Sequence, residues 1–282
     1  ALYREIPEYQ EQNAGMTLAE FRTIFWWEYV HRLWGRLIGV VFLLPFLWFL
    51  VRRKVRRGLA PHLAAMFVLG ALQGALGWYM VASGFAERTD VSQYRLVAHL
   101  TAAVVIYGYI LWVAFRLLVP TPAPSPGAAR LRGGLAAFAA LVFITLTSGG
   151  FVAGLNAGMV YNTFPLMDGR WIPEGYAMLD PWARNLFENG IAVQFNHRLL
   201  AVVTVAAALG LWLASRRLEL AARARTACTL VLVMASAQLG LGISTLLLVV
   251  PVWLGALHQA GAMMLLTLAL WAVHQVRPVH AD

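Results

Sequence analysis

Residues 28–33 read E-Y-V-H-R-L and residues 194–199 read Q-F-N-H-R-L. Each string lies inside an apolar stretch longer than the roughly 20 residues that cross a bilayer core of about 30 Å. The chain after each string repeats as well. L-Q-G-A-L-G (72–77) is answered by A-Q-L-G-L-G (237–242), and V-A-H-L (97–100) by G-A-L-H-Q (255–259). His31, Gln73 and His99 stand 42 and then 26 residues apart, and His197, Gln238 and His258 stand 41 and then 20 apart. Three landmarks in one order at similar spacing read as an internal duplication. Four spans separate each matched pair, so the two halves share one orientation. That makes the repeat parallel, about a pseudo-two-fold axis along the membrane normal.

Composition sets the class. Of 282 residues, 60% are hydrophobic and 12% charged, against about 25% charged in an average soluble domain. Seven spans are expected, at 24–50, 62–82, 95–118, 133–155, 191–214, 226–248 and 252–274. The formal charge of +9 is concentrated in the loops 51–61, 119–132 and 215–225, which fall on one side if the spans alternate. Loops 83–94 and 156–190, on the other side, hold few Lys or Arg. The positive-inside rule then puts the basic loops in the cytoplasm and the N-terminal segment and loop 156–190 outside. It also accounts for the charge without nucleic acid as a partner; the lipid bilayer is the partner implied. Loop 156–190, with its Trp, Tyr, Phe and Pro, reads either as an interfacial cap over the bundle or as a functional segment. Cys228 is the one cysteine, so an intramolecular disulfide and a thiolate-held iron–sulfur cluster are excluded, and it is read as packing. Residues 1–22 are polar and carry no signal-peptide pattern.

Span 133–155 has no counterpart in the first half. The expected fold is therefore all-α, two tandem four-helix transmembrane bundles, with the first helix of the first bundle absent from this chain. Residues 1–118 form the N-terminal half, 119–132 a cytoplasmic linker and 133–282 the C-terminal half.

Ionisable groups inside a bilayer are costly and tend to be functional. One intramembrane histidine could simply bond a neighbouring helix, but four at matched positions are different. At 1.5 Å per residue, His31 lies about 10 Å into its span, and His99, His197 and His258 likewise fall in the outer half of the bilayer. Facing histidines on the helices of a four-helix bundle suit an iron porphyrin, which slots between helices and takes an imidazole on each face. Zinc would want three or four clustered ligands, and a proton relay more carboxylates. His62, His274 and His280 fall at cytoplasmic ends and are expected at the surface. Arg32 and Arg198, next to the repeat histidines, suit either haem propionates or lipid headgroups reached by snorkelling. Glu28 stands one turn from His31, where the second half has Gln194. A carboxylate there can move protons or offset positive charge; the alternative is an ion pair with Arg32 or Arg36. The difference suggests chemistry in the first half and a held cofactor in the second.

W-W-E-Y-V-H-R-L-W-G-R (26–36), G-G-F-V-A-G-L-N-A-G-M-V-Y-N-T-F-P-L-M-D-G-R-W-I-P (149–173) and N-L-F-E-N-G-I-A-V-Q-F-N-H-R-L (185–199) resemble the haem A synthase family, in the proteobacterial and mitochondrial subclass without loop cysteine pairs. The resemblance covers essentially the whole chain. It implies an oxidoreductase of the bacterial inner membrane, or of the mitochondrial inner membrane, that oxidises a methyl group of haem O to a formyl group through a hydroxylated intermediate, giving haem A for terminal oxidases. It implies haem b as cofactor, with His197 and His258 as axial ligands; Arg198 and Arg32, from their place beside the repeat histidines, are the expected cofactor-binding arginines. His31 and His99 would hold the substrate haem iron, with Glu28 as the catalytic carboxylate. The partners implied are haem O, an unidentified electron donor and haem O synthase; a homo-oligomer is compatible. From the histidine spacing alone, a di-haem b-type cytochrome that only transfers electrons fits equally well, and a haem carrier is a third reading.

Overall fold

The computed structural model describes residues 9, 14–56, 58–82, 91–119, 121, 123 and 125–278. Among these, seven helices are long and apolar enough to cross a membrane. They are α1 (Leu18–Val51), α2 (Ala60–Ala82), α3 (Gln93–Leu118), α4 (Ala128–Gly154), α5 (Gly190–Arg216), α6 (Ala222–Leu247) and α7 (Val252–Gln275). The chain is an all-α, multi-pass membrane protein. The first helix outruns its apolar span because a polar cap extends it. At α1, Thr17 and Glu20 form a reciprocal capping box: Thr17 Oγ1 accepts from the Glu20 amide and Glu20 accepts from the Thr17 amide at 2.8 Å. This satisfies two otherwise orphaned donors and starts the helix at Leu18 rather than near residue 24. Most of loop 83–94, and His280, lie outside the described residues.

The chain divides into two compact units, Ala1–Ile106 and Tyr107–Asp282. In the first, α1 buries none of its residues, as suits a helix whose solvent is lipid. In the second, α4, α5, α6 and α7 pack in a closed ring, each against the next and α7 back against α4. Its core is built from Leu135, Phe138, Val142 and Leu146 on α4, and from Leu265, Ala269 and Ala272 on α7. On α6 the buried positions include Ala224, Cys228, Val231 and Ala235. Their spacing of three and four makes one stripe of small residues, which lets neighbouring backbones approach; Cys228 is plain packing there. At one end of this unit the loop before α4 is tied to the loop before α6. Gly127 N donates to the Glu219 carbonyl (3.0 Å) and Ala221 N to Ser125 Oγ (2.9 Å).

One expectation about this end is corrected. His274 is fully buried, not at the surface. Trp112 and Phe115 lie against its ring, with centroids 5.8 and 5.7 Å away, and Arg277 donates to its Nε2 at 2.6 Å. Arg277 also donates to the Val119 carbonyl (3.1 Å), so the end of α7 is fastened to the end of α3. An apolar flank such as W-A-V-H-Q cannot reveal that partner, because Trp112 and Arg277 are distant in sequence or beyond the helix. His62 is half-buried in the first turn of α2.

Candidate functional site

His99, His197 and His258 each lie about two turns inside the start of their helices, at 3.6 residues per turn. In the second unit, α5 and α7 bring the rings of His197 and His258 together, centroids 6.5 Å apart and planes nearly perpendicular at 87°. An imidazole nitrogen binds a transition metal at about 2 Å, and a ring centre lies about 1 Å behind its nitrogen. Two rings on opposite sides of one iron therefore have centroids about 6 Å apart, so this pair fits a bis-histidine haem.

Two features fix each ring, and neither is visible as a motif. The first is a glycine on the adjacent helix. A Cβ at Gly149 on α4 would stand 3.1 Å from His197 Cε1, and one at Gly242 on α6 would stand 3.0 Å from His258 Cε1. A side chain at either position would crowd the ring and require it to shift. The second is a polar side chain at Nδ1. Ser148 Oγ lies 2.8 Å from His197 Nδ1. Gln238 Nε2 lies 3.1 Å from His258 Nδ1 and donates to the His258 carbonyl at 2.7 Å. Metal-bound histidines characteristically donate their outer N–H to an acceptor, a role that Ser148 Oγ can fill. Gln238 in turn packs over Gly261, where a Cβ would overlap its Oε1.

The first unit carries the same arrangement around His99. Gln73 Nε2 lies 3.1 Å from His99 Nδ1 and donates to the His99 carbonyl at 2.9 Å. A Cβ at Gly77 would come within 2.9 Å of His99 Cε1. The Q-x-x-x-G pairs 73/77 and 238/242 thus do one job in each unit, with the glutamine and glycine one turn apart on one helix face. His31 is exposed on α1. One turn away, Glu28 accepts from Arg32 at 2.7 Å, with both side chains about half exposed (57% and 50%).

The counterpart of that ion pair is quite different. Gln194 is buried and donates to the Tyr161 carbonyl at 3.0 Å. Arg198 donates to the Tyr161 and Thr163 carbonyls, both at 2.7 Å. Asn162 reaches the Leu246 carbonyl (2.8 Å), and Asn189 caps α5 while donating to the Gly175 carbonyl (2.7 Å). Loop 156–190 is therefore pinned to the helices by amide and guanidinium groups, with its own Met167 and Asn185 buried and Trp171 exposed. Arg198 Nε and Gln194 Oε1 remain buried without a protein partner. That leaves one donor and one acceptor available to a bound group beside His197. Among the described residues no cluster of three His, Cys, Asp or Glu side chains could hold a bare metal ion.

The model of a family described as cytochrome oxidase assembly protein matches residues 1–270. The chain is 54% identical over 278 residues to a protein named haem A synthase from Nitrosospira multiformis, covering 98% of this chain and 78% of that one. It is 52% identical to the haem A synthase of Rhodospirillum centenum (98% and 74%) and 46% identical to that of Bos taurus (98% and 69%). No solved structure matches the chain.

Proposed function

This chain belongs to the haem A synthase family of cytochrome oxidase assembly proteins, and we propose that it oxidises one methyl group of haem O to a formyl group, through a hydroxylated intermediate, to give haem A. The observation that carries the reading is the pair of adjacent rings, His197 and His258, at 6.5 Å. Those two residues would hold haem b, which when bound supplies a one-electron redox centre. Ser148 and Gln238 hold the rings, and Gly149 and Gly242 leave them room. Arg198 keeps loop 156–190 over this end of the unit and offers its spare Nε–H to an anionic edge such as a propionate.

Residues 1–118 form the proposed substrate half, 119–132 the linker and 133–282 the cofactor half. His99, held by Gln73 and Gly77, and His31 would bind the iron of haem O. Glu28 is the one repeat position where a carboxylate replaces an amide, and Arg32 orients it. Its role is to take up a proton as the methyl carbon is oxidised. Arg32 is also available to a propionate. Dioxygen, reduced with electrons from a donor outside the chain, would be the oxidant and the source of the oxygen atom, with water as the other product, and haem O synthase, whose product is the substrate, is the proposed upstream partner.

Haem stoichiometry separates this reading from an electron-transfer cytochrome. Purified from a host without haem O, the chain should carry a single low-spin haem b, and His31→Ala should leave that complement unchanged. If His31→Ala halves the haem b per polypeptide, the chain is a two-haem cytochrome instead.

The site is proposed to lie at the outer, periplasmic side of a bacterial inner membrane, because the basic loops mark the cytoplasmic side. A periplasmic reporter fused within 156–190 should be active and one within 51–61 silent. The opposite pattern would move both histidine pairs to the cytoplasmic side.

A further inference from the structure

The two rings of the second unit are not supported alike. Ser148 Oγ donates to the Thr145 carbonyl at 2.7 Å and lies 2.8 Å from His197 Nδ1. A hydroxyl has one hydrogen, and a carbonyl oxygen only accepts. At 2.7 Å that hydrogen must point at the carbonyl, since otherwise two sets of lone pairs would face each other. Towards His197 the hydroxyl is therefore the acceptor, so Nδ1 carries the ring proton and Nε2 keeps its lone pair. Gln238 is fixed the other way. Its Nε2 donates to the His258 carbonyl at 2.7 Å, so Gln238 offers His258 Nδ1 no acceptor, as Gln73 offers none to His99 Nδ1. Among the described residues, His197 is the one repeat histidine with a hydroxyl oxygen at its Nδ1.

We propose that Ser148 is a positioning residue for the cofactor: through His197 Nδ1–H it fixes the ring with Nε2 turned to the iron and makes His197 the stronger electron donor of the two ligands. This rests on the assignment of His197 and His258 to haem b. An acceptor at the far ring nitrogen raises the basicity of the coordinating one, which favours ferric over ferrous iron. Thr145 holds Ser148 in place, and its own hydroxyl meets Thr204 Oγ1 on α5 at 3.1 Å, so the support is built into the α4–α5 contact.

The test uses the full chain, purified with its haem, and reads the midpoint potential and the ferric low-spin resonance spectrum. Ser148→Ala should weaken retention of ferric haem by about 10- to 100-fold, the usual cost of losing an outer partner. If that loss is confined to the ferric state, each tenfold raises the midpoint potential by about 59 mV. Ser148→Thr keeps the hydroxyl and should restore the native values. Thr147→Ala removes a neighbouring hydroxyl that has no partner and should change nothing. An unchanged potential and spectrum in Ser148→Ala overturns the proposal. So does an equal shift in Thr147→Ala, or loss of haem from Ser148→Ala and Ser148→Thr alike. A native protein without low-spin haem b, or a His197→Ala variant that keeps it, overturns the ligand assignment itself and this proposal with it.

Discussion

His197→Ala and His258→Ala are each expected to strip haem b from the second unit and to abolish haem A formation. Each change removes one of the two rings proposed to hold the iron, and the remaining ring would leave one side of it without a ligand. Among the described residues no third histidine, cysteine or carboxylate stands near enough to substitute. The fold itself should persist. The core of the unit is made by Leu135, Phe138, Val142 and Leu265, and the vacated volume lies against Gly149 or Gly242 at the rim of that core. The measurement is the reduced-minus-oxidised spectrum of purified variants alongside their helix content. A full, unchanged low-spin spectrum in either variant contradicts the assignment.

Glu28→Gln is expected to lower haem A yield by about 10²- to 10⁴-fold, the range for losing a positioned acid or base, while haem b in the second unit is retained. The substitution makes the first repeat position imitate Gln194 with almost no change in volume. It also breaks the contact with Arg32 at 2.7 Å, but that pair is half exposed, and exposed pairs contribute only about 0–1 kcal/mol to stability. Folding is therefore expected to hold, and hydroxylated intermediate to accumulate. Haem b content and haem A yield measured in one preparation separate the outcomes. Near-normal yield would leave Glu28 as no more than the partner of Arg32 and remove the reason to place chemistry in the first unit.

The membrane class and the seven spans were legible because hydrophobic length is a direct physical requirement of the bilayer. The helix ends were less so: Thr17–Glu20 and Asn189 extend or cap helices through single hydrogen bonds that apolar patterning does not register. The histidine landmarks stood out because polar groups are rare in apolar helices. Their supports did not. Gln73 and Gln238 were visible as repeated residues, but that they hold His99 and His258 follows only from helix pairing. Ser148 and Gly149 sit in S-G-G, a string that in an apolar helix reads as a small-residue packing stripe. The anchoring of loop 156–190 by Gln194 and Arg198 was hidden for a related reason. Both bond backbone carbonyls, which carry no sequence identity, so Arg198 could be matched to a propionate or a headgroup but not to Tyr161 and Thr163. His274 was misplaced because its burial depends on Trp112, Phe115 and Arg277, none of which is signalled by its neighbours.

The most direct measurement of the central claim is chromatographic separation of the haems extracted from membranes that contain a haem O source, with and without this chain. Haem A or hydroxylated haem O is expected only where the chain is present, and haem A should not form with Glu28→Gln beyond trace amounts. Membranes that hold the chain, loaded with haem b, yet yield haem O alone would contradict it.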